Sequence, residues 1–527
     1  MRDAHPFATP WERAHARRLG WLALGLVAVG VLWRLTRYLL AFPVWGDEAF
    51  LLLNYRTRGF ADLFGPIDNC QVAPLLFHAA ELAAYKWLGA SELAIRLPAL
   101  LACLGSLALF WRLARLLLPP LAHTLAVGVL AVSIWPATMG SLVKPYTFDL
   151  FFSLVLLVPF VTWLRRPESL RPLAALNRLT PQAGFGSFPA GFVGGGIGCA
   201  WLLQIARRRD ARLWALLAVY GVALGGSFAA HYLFVGLPHM SSPFNGTTTS
   251  TGMKTYWRDA FPPASPVAFA RWWLLTHTGQ MAAYPLGAPS GGSALTVGLG
   301  LVGAAWMWKR RQRGLLAVVG FTFALWLLAA ALHKYPYGSS CRLSQHVAAM
   351  YCLLAGLGAA ALLLRLQSQW RATLIVTGLL AAIGLGGAAR DVVHPYRDLH
   401  ALQSREAARE LVARVGPEPL FVPYPLGHVD VVPEWYLHRA PRCRLWCSPG
   451  DVIEASGEET SLWVLRYGSP WDESAELEGW FSHGGQRWRC VERGCRFQVY
   501  SDDREPIRSL QWYHLVREGG RLASGPR

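Results

Sequence analysis

Long apolar runs separated by short charged connections dominate the chain. The first, Leu19 to Trp33, continues through Arg34 and Arg37 to Phe42 and ends at Trp45-Gly46-Asp47-Glu48. Further runs lie at Ile95 to Leu118, Leu121 to Met139, Phe148 to Leu164, Ala190 to Ile205 and Leu213 to Leu237. Four more follow, at Leu295 to Trp308, Leu315 to Leu332, Val347 to Leu364 and Leu374 to Ala389. Runs of this kind predict membrane-crossing helices, which need about 20 mostly apolar residues. Arg171 to Phe188 is harder to place, because Asn177, Arg178, Gln182 and several glycines make it too polar for an ordinary span. Without a crossing there, the basic loops at Arg207 and Lys309 face outward, against the charge bias of membrane proteins. A short, broken crossing buried within protein is therefore expected, and the count comes to about eleven.

Between the first two runs the pattern loosens. Ala49 to Leu63 mixes apolar residues with Asn54, Arg56 and Arg58, which suits a helix lying along the membrane face. A polar turn from Gly65 to Asn69 leads through Gln71-Val72-Ala73-Pro74 to a second such helix ending near Leu88, with Pro74 placed for its first turn. The long connection Pro238 to Gly292 carries Trp257, Trp272 and Trp273, the residues of a further interfacial helix.

From Pro395 the apolar runs stop. Ser404 to Val415 and Trp471 to Phe481 read as helices, and Leu420 to Val422, Leu462 to Leu465 and Phe497 to Tyr500 as short strands. The organisation expected is a membrane domain over residues 1–394 and a small soluble α/β domain over 395–527. Arg13, Arg17 and Arg18 precede the first run with no small-residue cleavage site, so it reads as a retained anchor with a cytoplasmic N-terminus. Eleven crossings then put the C-terminal domain outside. Late cysteines Cys443, Cys447, Cys490 and Cys495 are disulfide candidates in that compartment, and zinc ligands if the domain is cytosolic.

Composition agrees with a membrane chain. Of 527 residues 53% are hydrophobic and 16% charged, where soluble domains carry about 25% charged. The formal net charge of +18 hints at nucleic acid, but the basic residues cluster between apolar runs, as at Arg207-Arg208-Arg209 and Lys309-Arg310-Arg311. That is the positive-inside pattern, and no nucleic-acid partner is expected. No P-loop or Rossmann fingerprint supports direct use of a nucleotide-sugar. The abundance of Ala, Leu, Arg and Gly suggests a bacterial plasma membrane.

Asp47-Glu48 is the feature most in need of a reason, since acids at a membrane exit are costly unless they act or face water. They read either as a catalytic pair or as a cap on the helix starting at Ala49. Four pieces, in this order relative to the runs, carry a resemblance: Asp47-Glu48; Gln71-Val72-Ala73-Pro74; Gly89-Ala90-Ser91-Glu92 leading to Arg96-Leu97-Pro98; and Ser141-Leu142-Val143-Lys144-Pro145-Tyr146 with Asp149. Over roughly Leu19 to Leu364 the chain resembles the GT-C superfamily of integral-membrane glycosyltransferases. It is most similar to the branch of protein O-mannosyltransferases, aminoarabinose transferases and their family-39-type bacterial relatives.

That resemblance implies a polytopic helical bundle and a polyprenyl-phosphate-linked sugar donor. It also implies a hexosyl or pentosyl transfer on the outer membrane face, to a cell-envelope glycan, a lipid or a protein. It makes Asp47 the base that takes the acceptor's proton, with Glu48 positioning a substrate. The leaving phosphate needs fixed cations. Lys144, Lys334 and Arg342 are candidates, as are Arg34 and Arg37; each is otherwise a residue snorkelling to lipid headgroups. Gln71, Tyr146, Tyr337 and His277 complete the candidate substrate contacts, and His78 near Glu81 is a further interfacial histidine. No His, Cys and acid cluster in the membrane part argues for a metal, while a divalent ion recruited by Asp47, Glu48 and a phosphate stays open. One departure stands out. Aminoarabinose transferases resemble one another in a lysine before a proline pair, where this chain has Val72-Ala73-Pro74, so Lys144 or Lys334 has to substitute. Two rival readings remain, a lipid-linked-sugar transporter, which calls for paired discontinuous helices, and a non-catalytic membrane scaffold.

Overall fold

A computed structural model of the chain describes residues 6–244, 246–287, 290–423, 431–446, 452, 459–468, 487–500 and 506–518. They form two compact units, Met1–Ala41 with Thr57–Pro395, and Phe42–Arg56 with Tyr396–Arg527.

The first unit is helical. Helices stand where the sequence places its runs: α1 (Pro10–Leu39), α2 (Leu97–Leu117), α3 (Pro120–Ala131), α4 (Tyr146–Arg165), α5 (Arg171–Gly186) and α6 (Ala190–Ile205). They continue with α7 (Ala211–His231), α8 (Gly292–Lys309), α9 (Arg313–Ala331), α10 (Ala348–Leu363) and α11 (Gln369–Val393). Among the described residues, α1, α2, α4, α7, α9, α10 and α11 are the seven long and apolar enough to cross a membrane, and α3 and α6 are shorter apolar helices. Thr9 and Glu12 cap the start of α1 reciprocally, and Pro10 fills its first position. Glu12 also accepts from the Leu121 amide at 3.1 Å, so one buried carboxylate serves the N-termini of both α1 and α3.

Small residues let these helices approach closely. A Cβ on Gly30 of α1 would lie 2.4 Å from the Ala131 carbonyl oxygen of α3, and one on Gly356 of α10 would lie 2.4 Å from the Ala126 nitrogen. Such close approach is how helices associate where lipid offers no hydrophobic drive.

Two expectations need correction. Leu121 to Met139 is not one helix: α3 ends at Ala131, Ser133 is extended (φ −75°, ψ 129°), and Ile134–Met139 forms a separate short helix. Pro136 is the cause, because in a continuous helix its ring would strike the carbonyl four residues back and it has no N–H to offer. Arg171 to Phe188 is not broken. It is a continuous helix with Pro181 inside, its buried face made by Leu173, Leu176, Asn177, Thr180, Ala183 and Gly184. Arg178 and Gln182 point away from that face. The small face packs against α4 and α7, and the Asn177 side-chain amide donates to the Leu216 carbonyl at 3.0 Å. Polarity that looked unsuited to a span is the outer side of an amphipathic helix.

The second unit is α/β. Asp398 caps the helix Leu399–Val415 by accepting from the His400 amide. Strands β1 (Leu420–Pro423), β2 (Cys443–Trp446), β3 (Ser461–Gly468), β4 (Trp488–Tyr500) and β5 (Pro506–Arg517) form a five-stranded mixed sheet in the order β2-β1-β3-β5-β4. β1 runs parallel to β2 and β3, and β5 antiparallel to β3 and β4. Phe421, Val452, Leu462, Val464, Trp488, Tyr513 and Leu515 make its core. The helix expected over Trp471 to Phe481 lies outside the described residues.

Candidate active-site residues

Asp47 and Glu48 open the short helix Gly46–Leu52, which belongs to the second unit. Glu48 is fully buried and its carboxylate accepts from the Trp45 amide at 3.4 Å, a cap on its own helix. Asp47 is half-buried. The segment is tied down on its N-terminal side: the Val44 amide donates to the Tyr436 hydroxyl at 2.8 Å, and the Arg397 guanidinium lies 3.5 Å above the Trp45 ring. Both partners come from the C-terminal part of the chain, and nothing in the sequence pattern singles them out. The same unit holds a chain of buried Glu434 and half-buried His438 and Cys443, with His438 Nε2 3.3 Å from the carboxylate and Nδ1 3.1 Å from the thiol. Burial pushes the Cys443 thiol up to about 12. Among the described residues no group of three or more His, Cys, Asp and Glu is set to hold a metal. Cys447 and the Cys495 side chain lie outside the described residues.

In the first unit the structure joins two sequence candidates. The Lys144 ammonium donates to the Gln71 side-chain carbonyl at 2.7 Å, both residues buried. Gln71 is held in turn by its amide donating to the Asn69 carbonyl at 2.9 Å, in a turn where Asn69 (φ 63°) and Cys70 (φ 54°) are left-handed. Lys144 precedes α4, whose half-buried first residue is Tyr146. One turn further, Asp149 is buried and accepts from the Ser187 hydroxyl at 2.6 Å. An acid inside an apolar run was a legible signal for that position.

His78 is fully buried, edge-to-face with His239 at 5.4 Å between ring centres. Burial, helped by nearby His239, Lys144 and Arg58, holds its imidazole well below the ordinary range, so it is neutral. His231, not anticipated, spans two elements: Nδ1 lies 2.6 Å from the Gly184 carbonyl, and Nε2 accepts from the Leu75 amide at 3.2 Å. It thereby caps the helix Leu75–Leu88 and fixes its own tautomer.

His277 and Tyr337 also meet. His277 follows the helix Pro266–Thr276, with Nε2 3.2 Å from the Tyr337 hydroxyl and Nδ1 2.8 Å from the Tyr351 hydroxyl. Trp273 and Trp326 pack on Tyr337. Burial pushes His277 down to about 4. Lys334 is exposed. The Arg342 guanidinium lies 5.4 Å from the centre of the Trp257 ring.

Arg34 and Arg37 both donate to protein groups. Arg34 is buried and donates to the carbonyls of Gly30, Leu130 and Ala131 and to the Cys103 sulfur. It serves the last carbonyls of α3 at the break imposed by Pro136, Ala131 and Leu130, the latter also accepting from the Ser133 amide at 3.4 Å. Arg37 pairs with Asp391 at 2.7 Å, with both side chains under a tenth exposed.

No family model matches the chain, and no curated protein matches it. Solved structures do. ArnT from Cupriavidus metallidurans bound to undecaprenyl phosphate aligns with a TM-score of 0.57 at 14% identity, covering 96% of this chain and 99% of that one. Its apo state aligns at 0.53, with the same identity and coverage. ArnT is a GT-C superfamily member. The chain has the GT-C fold. An oligosaccharyltransferase from Archaeoglobus fulgidus in the apo form aligns at 0.45 and 11% identity, over 84% of this chain and 69% of that one. The GT-C fold expected from the order of motifs and runs is therefore the one found, as a multi-pass membrane bundle with a small α/β unit.

Proposed function

We propose that the chain transfers a sugar from a polyprenyl-phosphate donor to an acceptor hydroxyl on the outer face of the membrane, with inversion. The observation that supports this reading is the end-to-end likeness to ArnT, whose bound ligand is undecaprenyl phosphate. In the reaction the acceptor oxygen bonds to the anomeric carbon as the bond from that carbon to the phosphate oxygen breaks. The phosphate leaves with the electron pair, and Asp47 accepts the acceptor's proton. One displacement, with no carboxylate nucleophile, inverts the anomeric centre. Glu48 acts indirectly, since its carboxylate caps the helix that carries Asp47. Lys144, set by Gln71, stabilises the charge developing on the leaving phosphate. Tyr146, Lys334 and Arg342 are further contacts for donor or headgroup. His277 and Tyr337 belong to an aromatic cluster in which His277 joins the Tyr337 and Tyr351 hydroxyls. A divalent ion at Asp47 is an addition that the reading accommodates without requiring. A hexose or pentose donor and a glycan, lipid or protein acceptor all suit this chemistry. The orientation that goes with it puts the N-terminus in the cytoplasm of a plasma membrane and the C-terminal unit outside.

Donor binding tests the reading directly. Full-length protein in lipid nanodiscs is expected to bind undecaprenyl phosphate, and Lys144→Met to bind it at least tenfold more weakly while melting like wild type. Equal binding by both proteins would remove Lys144 from the phosphate site.

A further inference from the structure

The Arg37–Asp391 pair joins more of the chain than a helix contact requires. The Arg37 guanidinium donates through Nη1 to Asp391 at 2.7 Å and through Nε to the Ser141 hydroxyl at 2.8 Å. The other Asp391 oxygen accepts from the Trp33 indole at 2.8 Å. Gly387 makes room for that indole, since a Cβ there would lie 2.4 Å from the Trp33 ring. Arg37 is near the end of α1, just before the chain leaves the helical unit at Ala41 towards Asp47. Asp391 is near the end of α11, just before it leaves again at Pro395. Ser141 opens the loop that carries Lys144. One guanidinium therefore fixes both departures from the helical unit and the base of the Lys144 loop.

A buried ion pair is weak evidence of stability, because apolar residues of similar size often do as well; fixing register is its better-attested use. Arginine suits this task, as its planar fork serves two acceptors at set angles, where an ammonium is a point charge.

We propose that Arg37 and Asp391 are positioning residues for transfer, holding the ends of α1 and α11 and the base of the Lys144 loop in register within the helical unit. This rests on the glycosyl-transfer reading. The step it serves is unchanged, and neither residue touches substrate.

Hydrogen exchange read by mass spectrometry on full-length protein in nanodiscs, alongside transfer, tests this. Arg37→Lys and Ser141→Ala are expected to raise exchange about tenfold in residues 139–146 while residues near Asp391 stay protected. Asp391→Asn is expected to raise it in residues 38–44 and 391–397. Each variant is expected to lose at least tenfold in transfer rate. Unchanged exchange in these segments, or a uniform rise along α1 and α11, would overturn the proposal in favour of a purely stabilising pair. If Asp391→Asn fails to fold, Arg37→Lys and Ser141→Ala decide. If wild type transfers nothing, exchange still judges the clamp, and the loss falls on the glycosyl-transfer reading alone.

Discussion

Lys144 donates from a buried position to a side-chain carbonyl that is itself tethered. In the proposed reaction such preorganisation would give the charge catalytic value, since nothing has to reorient as the leaving phosphate gains its second negative charge. Lys144→Met is expected to cost roughly 10²–10³-fold in kcat/KM, the usual loss when one such group is removed; a loss under threefold would exclude the role. Both residues are visible in the sequence, but they lie far apart along it, and only the fold pairs them. Arg34 and Arg37 show the converse. Their positions at the end of an apolar run suggest headgroup or phosphate cations, because nothing local reveals that Leu130, Ala131 and Asp391 come alongside. His277 allows a pH test. Its folded pKa of about 4 lies below the ordinary 6.5, so the unfolded chain binds more protons between those values. Stability from this site is full above about pH 6.5 and falls as pH drops towards 4. Melting between pH 7.5 and 4.5 is expected to show a smaller acid loss in His277→Gln than in wild type, and identical acid losses would contradict the assignment.

At the scale of elements, the break after α3 governs much of the bundle's interior. Pro136 ends the helical continuation, the last carbonyls of α3 lose their partners, and Arg34 of α1 supplies N–H groups to Leu130 and Ala131. Gly30 admits the two backbones to that distance. Arg34→Met is expected to destabilise by about 1–3 kcal/mol, the cost of leaving the Ala131 carbonyl unsatisfied, read as a lower melting temperature in detergent. A variant melting at the wild-type temperature would mean that water or another donor replaces the guanidinium. The apolar period made the helices legible because burial in lipid or protein demands it. Local sequence could not say that α5, polar by composition, presents a small-residue face to α4 and α7. Nor could it assign residues 42–56 to the same compact unit as the C-terminal sheet, since that grouping depends on Tyr436 and Arg397.

For the whole molecule, fold and reaction rest on different supports. The fold follows from helices placed where the apolar runs require them and from alignment to ArnT along nearly its full length. The proposed reaction rests on chemistry read onto that fold: an acid at the start of a short helix, a tethered buried lysine, and a lipid-phosphate ligand in the structure it resembles. The decisive measurement is transfer of radiolabel from a panel of polyprenyl-phosphate sugars to membranes carrying wild type or Asp47→Asn at equal expression. Label appearing with wild type and vanishing with the variant is the predicted result, and it identifies the donor as well. Undiminished label with Asp47→Asn would contradict the account at its centre, because the acceptor's proton would then go elsewhere.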